Sequence, residues 1–123
     1  MKPTIESLEG KVWPEPDFQS SFVVTAHALR KKPLDQLTPN DLRVAFKEDV
    51  GADFLKDLIL SVLQVEPAID SAFFEGDLLL SAMRSRQYRE DALFRGKILD
   101  SAEEALLVIS YQPTIEEIKK LRG

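Results

Sequence analysis

The stretch that decides the fold class is Phe54-Leu-Lys-Asp-Leu-Ile-Leu-Ser-Val-Leu-Gln-Val65. Its apolar side chains recur in pairs, at positions 54, 55, 58, 59, 62 and 63. Residues three and four apart lie above one another on an α-helix, so this spacing gathers all six on one face. The pattern predicts a helix with that face buried, and we expect it to be the most buried helix of the protein.

A second apolar pattern follows in residues 93–109, with apolar side chains at 94, 98, 99, 102, 105, 106 and 109. Charged residues mostly occupy the positions between them, as on an amphipathic helix. Ser101 and Glu104 have the spacing of a capping box, which would restart the helix at that point. One long helix and two shorter helices therefore both remain open.

The clearest helix start is at Thr38, which precedes Pro39. Threonine is a favoured N-cap, and proline suits the first helical position because its missing N–H would have no partner there. These residues predict a helix over 39–46 that Gly51 closes.

Further short helices are predicted from weaker signals. Thr114 and Glu117 repeat the capping pattern near the C-terminus. The other predicted helices cover residues 4–9, the stretch from Ser20 or Ser21 to Arg30, and residues 78–83. Period-two alternation is scarce, so strands have little support. The predicted fold class is all-α, a single compact domain of about five to seven helices over residues 1–123.

Composition and charge limit the kinds of partner. The chain has 123 residues, 44% of them apolar, with 16 Lys and Arg against 21 Asp and Glu and a formal charge of −5. A nucleic-acid backbone would be repelled by this charge, whereas a basic protein would be attracted. There is no cysteine and no apolar run of membrane-spanning length, so we expect a cytoplasmic protein that binds neither nucleic acid nor membranes.

Residues suited to catalysis or metal binding are scarce. His27 is the only histidine, and we interpret it as a hydrogen-bonded structural residue. The five glycines are too scattered for a phosphate-binding loop. We therefore predict no enzyme activity and no catalytic, cofactor or metal site. Trp13, in a proline-containing segment, is interpreted as a cover for the core, with an interface anchor as the alternative.

Four phrases in a fixed order give the chain a resemblance. They are Leu8-Glu-Gly-Lys-Val-Trp13, His27-Ala-Leu-Arg-Lys-Lys-Pro-Leu34, Leu37-Thr-Pro-Asn-Asp-Leu-Arg43 and Phe74-Glu-Gly-Asp-Leu-Leu79. Over residues 5–84 the chain resembles immunity proteins of bacterial contact-dependent growth inhibition (CDI) systems. The resemblance implies stoichiometric binding and neutralisation of a cognate toxin domain, and a ribonuclease is one candidate toxin. The alternative is an acidic helical adaptor or regulatory module unrelated to toxins.

The predicted toxin-facing surface is the connection between the 54–65 helix and the 78–83 helix. Its carboxylates have no evident structural role, and exposed carboxylates could meet a basic cleft on the C-terminal domain of the toxin. For Asp77 the N-cap of the following helix is the favoured role and partner contact is the alternative, whereas for the other residues the alternative to partner contact is solubility. The predicted partner-binding residues are Glu66, Asp70, Glu75 and Asp77.

Overall fold

The computed structural model describes residues 2–11 and 21–123, and the regular secondary structure within these ranges is helical, without a strand. The eight α-helices of the described residues are α1 (Ile5–Glu9), α2 (Ser21–Lys31), α3 (Pro39–Glu48), α4 (Lys56–Val65), α5 (Asp77–Met83), α6 (Arg86–Glu90), α7 (Ala92–Val108) and α8 (Gln112–Leu121). Short 3₁₀ helices cover Leu34–Gln36 and Ala52–Phe54. The all-α prediction is confirmed, and the short α6 is the helix that sequence analysis missed.

The predicted start of α3 is confirmed. The Thr38 hydroxyl accepts a hydrogen bond from the Asp41 N–H, and the Asp41 carboxylate accepts one from the Thr38 N–H. The predicted end is wrong, because Asp49 closes the helix in a left-handed conformation with φ 54°. Gly51 instead precedes the 3₁₀ turn that leads into α4.

The most buried helix is α5 rather than the predicted α4. Every residue of α5 is buried, because this short helix packs against α3, α7 and α8. On α4 and the residue before it, Leu55, Ile59 and Leu63 are fully buried. Phe54 belongs to the 3₁₀ turn, out of phase with α4, and is 43% exposed. Sequence spacing gives a helix one apolar face but does not say which helix lies at the centre.

The two C-terminal helices show that residues 93–109 do not divide into two helices and that the predicted helix start at Thr114 is wrong. Helix α7 runs unbroken through Ser101, which is buried inside it, and Asp91 caps its N-terminus. Helix α8 begins at Gln112 instead of being capped by Thr114. The Thr114 hydroxyl is buried and donates a hydrogen bond to the carbonyl oxygen of Glu75, 2.7 Å away. The connection before α5 is thereby tied to α8.

At the N-terminal end, a buried arginine joins α1 to α2. Arg30 is only 1% exposed, and its guanidinium donates to the Glu9 carboxylate and to the Lys11 carbonyl oxygen. A buried cation requires such partners. Trp13 lies outside the described residues, so its role as a cover for the core stays a prediction. Within the described ranges, no helix is both long and apolar enough to cross a membrane.

Candidate functional site

A groove of about 960 Å³ lies between the end of α4, the connection 66–76 and one face of α7. We call it the acidic groove. Its charged lining residues are Glu66 and Glu75 from the connection, and Lys97, Asp100 and Glu104 from α7. Four carboxylates against one lysine give the groove a negative potential, since fields of like charges add in a concave surface.

The α7 wall follows from helix geometry. Asp100, Glu104 and Val108 are four residues apart and therefore share one face. Both carboxylates are exposed, as is that of Glu66 on the facing wall. Among the described residues these three acids form no salt bridge, whereas Arg86 pairs with three acids elsewhere. Lys97 is the one cation among the described residues that line the groove, so the charge of the groove remains negative.

Apolar side chains stand beside these carboxylates. Val65 at the end of α4 is 82% exposed, and Val108 at the end of α7 is 65% exposed. Both line the groove. Exposed apolar side chains surrounded by polar ones are typical of surfaces that bind another protein.

The four predicted partner-binding residues fall into two groups. Glu66 and Asp70 are exposed to solvent. Glu75 is half-buried, and its Oε1 atom accepts hydrogen bonds from the backbone N–H groups of Ser110 and Tyr111 at 2.8 and 3.0 Å. These bonds hold the pKa of the Glu75 carboxyl below its ordinary value. Glu75 therefore fastens the connection to the segment that follows α7.

Asp77 is buried, and its carboxylate turns back to the loop before it. It accepts hydrogen bonds from the N–H and hydroxyl of Ser71 at 2.8 and 2.7 Å, and from the N–H groups of Ala72 and Phe73 at 3.1 and 2.9 Å. Burial alone would raise the pKa of Asp77, but the hydrogen bonds, led by that of the Ser71 N–H, hold it below its ordinary value. The N-cap of α5 is Gly76, so the predicted capping role is wrong.

The loop that Asp77 holds carries an aromatic side chain into solvent. Phe73 is 70% exposed, and the guanidinium carbon of Arg43 lies 4.6 Å from the centroid of its ring. The neighbouring Phe74 packs against Tyr111, with ring centroids 5.7 Å apart. Sequence analysis did not single out Phe73, because its exposure depends on how the carboxylate of Asp77 holds the loop.

The comparisons with known proteins bear on what this site recognises. The model of a family described as CDI immunity proteins matches residues 7–95. The chain belongs to this family. The match confirms the resemblance drawn from residues 5–84, and it makes the protein a toxin-neutralising immunity protein. No curated protein and no solved structure matches significantly.

The boundary of the family match divides the acidic groove of this immunity protein. Val65, Glu66 and the rest of the connection lie within residues 7–95. Asp100, Glu104 and Val108 on the opposite wall lie beyond them. Sequence analysis did not name Asp100 or Glu104 as partner-binding residues, because their place in the same groove as Glu66 depends on how α7 packs against α4.

Among the side chains that bind transition metals most often, histidine occurs once in the sequence and cysteine is absent. His27 is half-buried on α2. Within residues 2–11 and 21–123, no three His, Cys, Asp or Glu side chains are grouped so that they could hold a metal ion.

Proposed function

We propose that this immunity protein binds the C-terminal domain of its cognate CDI toxin through the acidic groove and neutralises it in the cytoplasm, by stoichiometric binding and without catalysis. The observation that carries the proposal is the set of exposed carboxylates of Glu66, Asp100 and Glu104, which form no salt bridge among the described residues and line one groove beside the apolar side chains of Val65 and Val108. Family membership supports a toxin as the partner in preference to the target of an unrelated adaptor.

The charge of the groove indicates a basic partner surface. Complementary charges speed the encounter of two proteins and suppress wrong pairings. A ribonuclease would offer a fitting surface, because its substrate cleft must attract phosphates. In this proposal Glu66 and Asp70 contact the toxin directly. Glu75 and Asp77 shape the connection, since their carboxylates are already engaged within the protein.

The first test uses the toxin domain encoded beside this protein. The two purified proteins are mixed, and stoichiometry, affinity and toxin activity are measured together with protection of cells that express the toxin. We expect a one-to-one complex and loss of toxic activity. A toxin that stays fully active with an excess of this protein would refute the proposal.

A charge-reversal pair then tests the groove. The double variant Glu66→Lys/Glu104→Lys should associate more slowly, by about tenfold or more at low salt, and its association rate should depend less on salt. The matched control is Glu48→Lys/Glu116→Lys, which changes the net charge equally at two exposed acids that do not line the groove. Equal rates for the two double variants would place the interface elsewhere.

A further inference from the structure

Phe73, in the loop 70–75, is unusually exposed for so large an apolar side chain. A phenylalanine side chain gains on the order of 1.5–3 kcal/mol when it is buried, so a flexible loop would let the ring fold back onto an apolar surface. Here the ring is 70% exposed, while the adjacent Phe74 is packed against Tyr111. The backbone of the loop must therefore keep Phe73 outward.

The backbone is fixed from both sides. The buried carboxylate of Asp77 accepts three N–H groups from residues 71–73, the last from Phe73 itself at 2.9 Å. Asp70 and Glu75 pair across the base of the loop as an antiparallel bridge. The Gly76 N–H completes the base with hydrogen bonds to the carbonyl oxygens of residues 68 and 69, both at 3.1 Å. A loop held in this way has lost its conformational entropy before any partner arrives.

The aromatic ring of Phe73 is also contacted on one face by Arg43. The guanidinium of Arg43 lies over it at 4.6 Å, and Arg43 Nε donates a hydrogen bond to Asn40 Oδ1 at 3.0 Å on the same helix. A cation this close to an aromatic face is attracted to it. The side chain of Phe73 is thus presented as a rigid knob with one face covered.

We propose that Phe73, supported by Arg43 and by the loop that Asp77 holds, is the anchor that enters an apolar pocket on the toxin domain. The inference rests on the proposed function and names a second element of the same interface, since the connection that lines the acidic groove continues into this loop. Aromatic side chains set in rigid surroundings are the residues that most often dominate binding energy.

The negative charge near Phe73 favours the toxin over a second copy of this chain as the protein whose pocket receives the Phe73 ring. The exposed carboxylates of Glu66 and Asp70 lie on the same connection as Phe73. Two copies, each with a formal charge of −5, would bring these carboxylates together, whereas a basic toxin surface would pair with them. The pocket that receives Phe73 is therefore on a basic protein.

The test compares two single truncations of exposed apolar residues in the full chain. Phe73→Ala should weaken toxin binding by about 30-fold or more, mainly through faster dissociation, and should leave the melting temperature unchanged. Leu93→Ala is the control, since Leu93 is 72% exposed on the first turn of α7 and does not line the groove. It should bind within about twofold of the wild type.

Each outcome has a distinct meaning. If the wild type binds the toxin and Phe73→Ala binds it with the same affinity, Phe73 is not the anchor, although the proposed function still holds. A wild-type protein that fails to bind the toxin would overturn both. Sedimentation of the wild type as a dimer that Phe73→Ala dissociates would assign the knob to self-association and overturn the proposal. Phe73→Leu keeps a large apolar side chain and should lose less affinity than Phe73→Ala.

Discussion

The carboxylate of Glu75 accepts a hydrogen bond from the backbone N–H of Ser110, 2.8 Å away and 35 residues later in the chain. The carbonyl oxygen of Glu75 accepts a second bond from the Thr114 hydroxyl. These contacts fasten the connection after α4 to the segment after α7. The two walls of the acidic groove are therefore joined at one end by a residue that belongs to the groove itself.

Glu75→Gln should weaken the hydrogen bonds from the Ser110 and Tyr111 N–H groups without unfolding the protein. The amide keeps the shape but removes the negative charge that strengthens the two N–H bonds. We expect the amide protons of Ser110 and Tyr111 to exchange faster in the variant, measured by hydrogen exchange. Glu116→Gln, at an exposed acid on α8, is the control and should leave these amides unaffected. Unchanged exchange in Glu75→Gln would mean that the hydrogen bond from the Thr114 hydroxyl to the Glu75 carbonyl oxygen holds the two segments together instead.

Asp77→Asn should lower the free energy of unfolding at neutral pH by about 1–3 kcal/mol, because a buried charged acceptor of several hydrogen bonds is lost. Chemical denaturation measures the change. Asp70→Asn, in the same loop but exposed, is the control and should stay within about 0.5 kcal/mol of the wild type. Equal stability of the two variants would show that the loop does not depend on the Asp77 carboxylate.

The contribution of the Asp77 carboxylate to the free energy of unfolding should also depend on pH, and it should fall as the solution becomes acidic. Its folded pKa lies below the ordinary value of 3.8, so the folded state favours the ionised carboxylate. The stabilisation is therefore fully present above the unfolded pKa and is lost as the pH falls through the folded one. We expect the stability difference between the wild type and Asp77→Asn to be constant near neutral pH and to shrink below about pH 4. A difference that grows on acidification would contradict this sign.

Two glycine-to-alanine changes should have opposite effects. Gly76 has a φ of 87°, and a Cβ atom there would lie 2.4 Å from Thr114 Cγ2. Gly76→Ala should therefore destabilise the protein by about 1–3 kcal/mol. Gly96 lies inside α7 with open space around it, so Gly96→Ala should stabilise by about 0.5–1 kcal/mol. Thermal unfolding of both variants checks the pair, and a stable Gly76→Ala variant would mean that α8 can shift away.

Truncations along α4 should separate its buried residues from its half-buried ones. Ile59 is fully buried, and Ile59→Ala should cost about 2–5 kcal/mol. Leu58 packs against the core but is only half-buried, so Leu58→Ala should cost less than Ile59→Ala. Denaturant unfolding with unchanged slopes measures both. A larger loss for Leu58→Ala would mean that the Leu58 edge of the apolar face carries more of the packing than the Ile59 edge.

The amino-acid sequence by itself determined the elements whose causes are local. The Thr38 capping box and the paired apolar positions of 54–65 each depend on residues within about one or two helical turns, so the all-α fold class could be predicted from them. The ordered phrases of the first two thirds likewise predicted the family that the match over 7–95 confirms.

Only the tertiary structure decided which side chains are free to bind. Glu75 and Asp77 look like Glu66 and Asp70 in the sequence, yet packing commits the first two to hydrogen bonds and leaves the other two exposed. The second wall of the groove, with Glu104, comes from a helix almost forty residues after Glu66. Such pairings depend on how helices pack, and helix packing is set by the sum of many long-range contacts rather than by any local pattern.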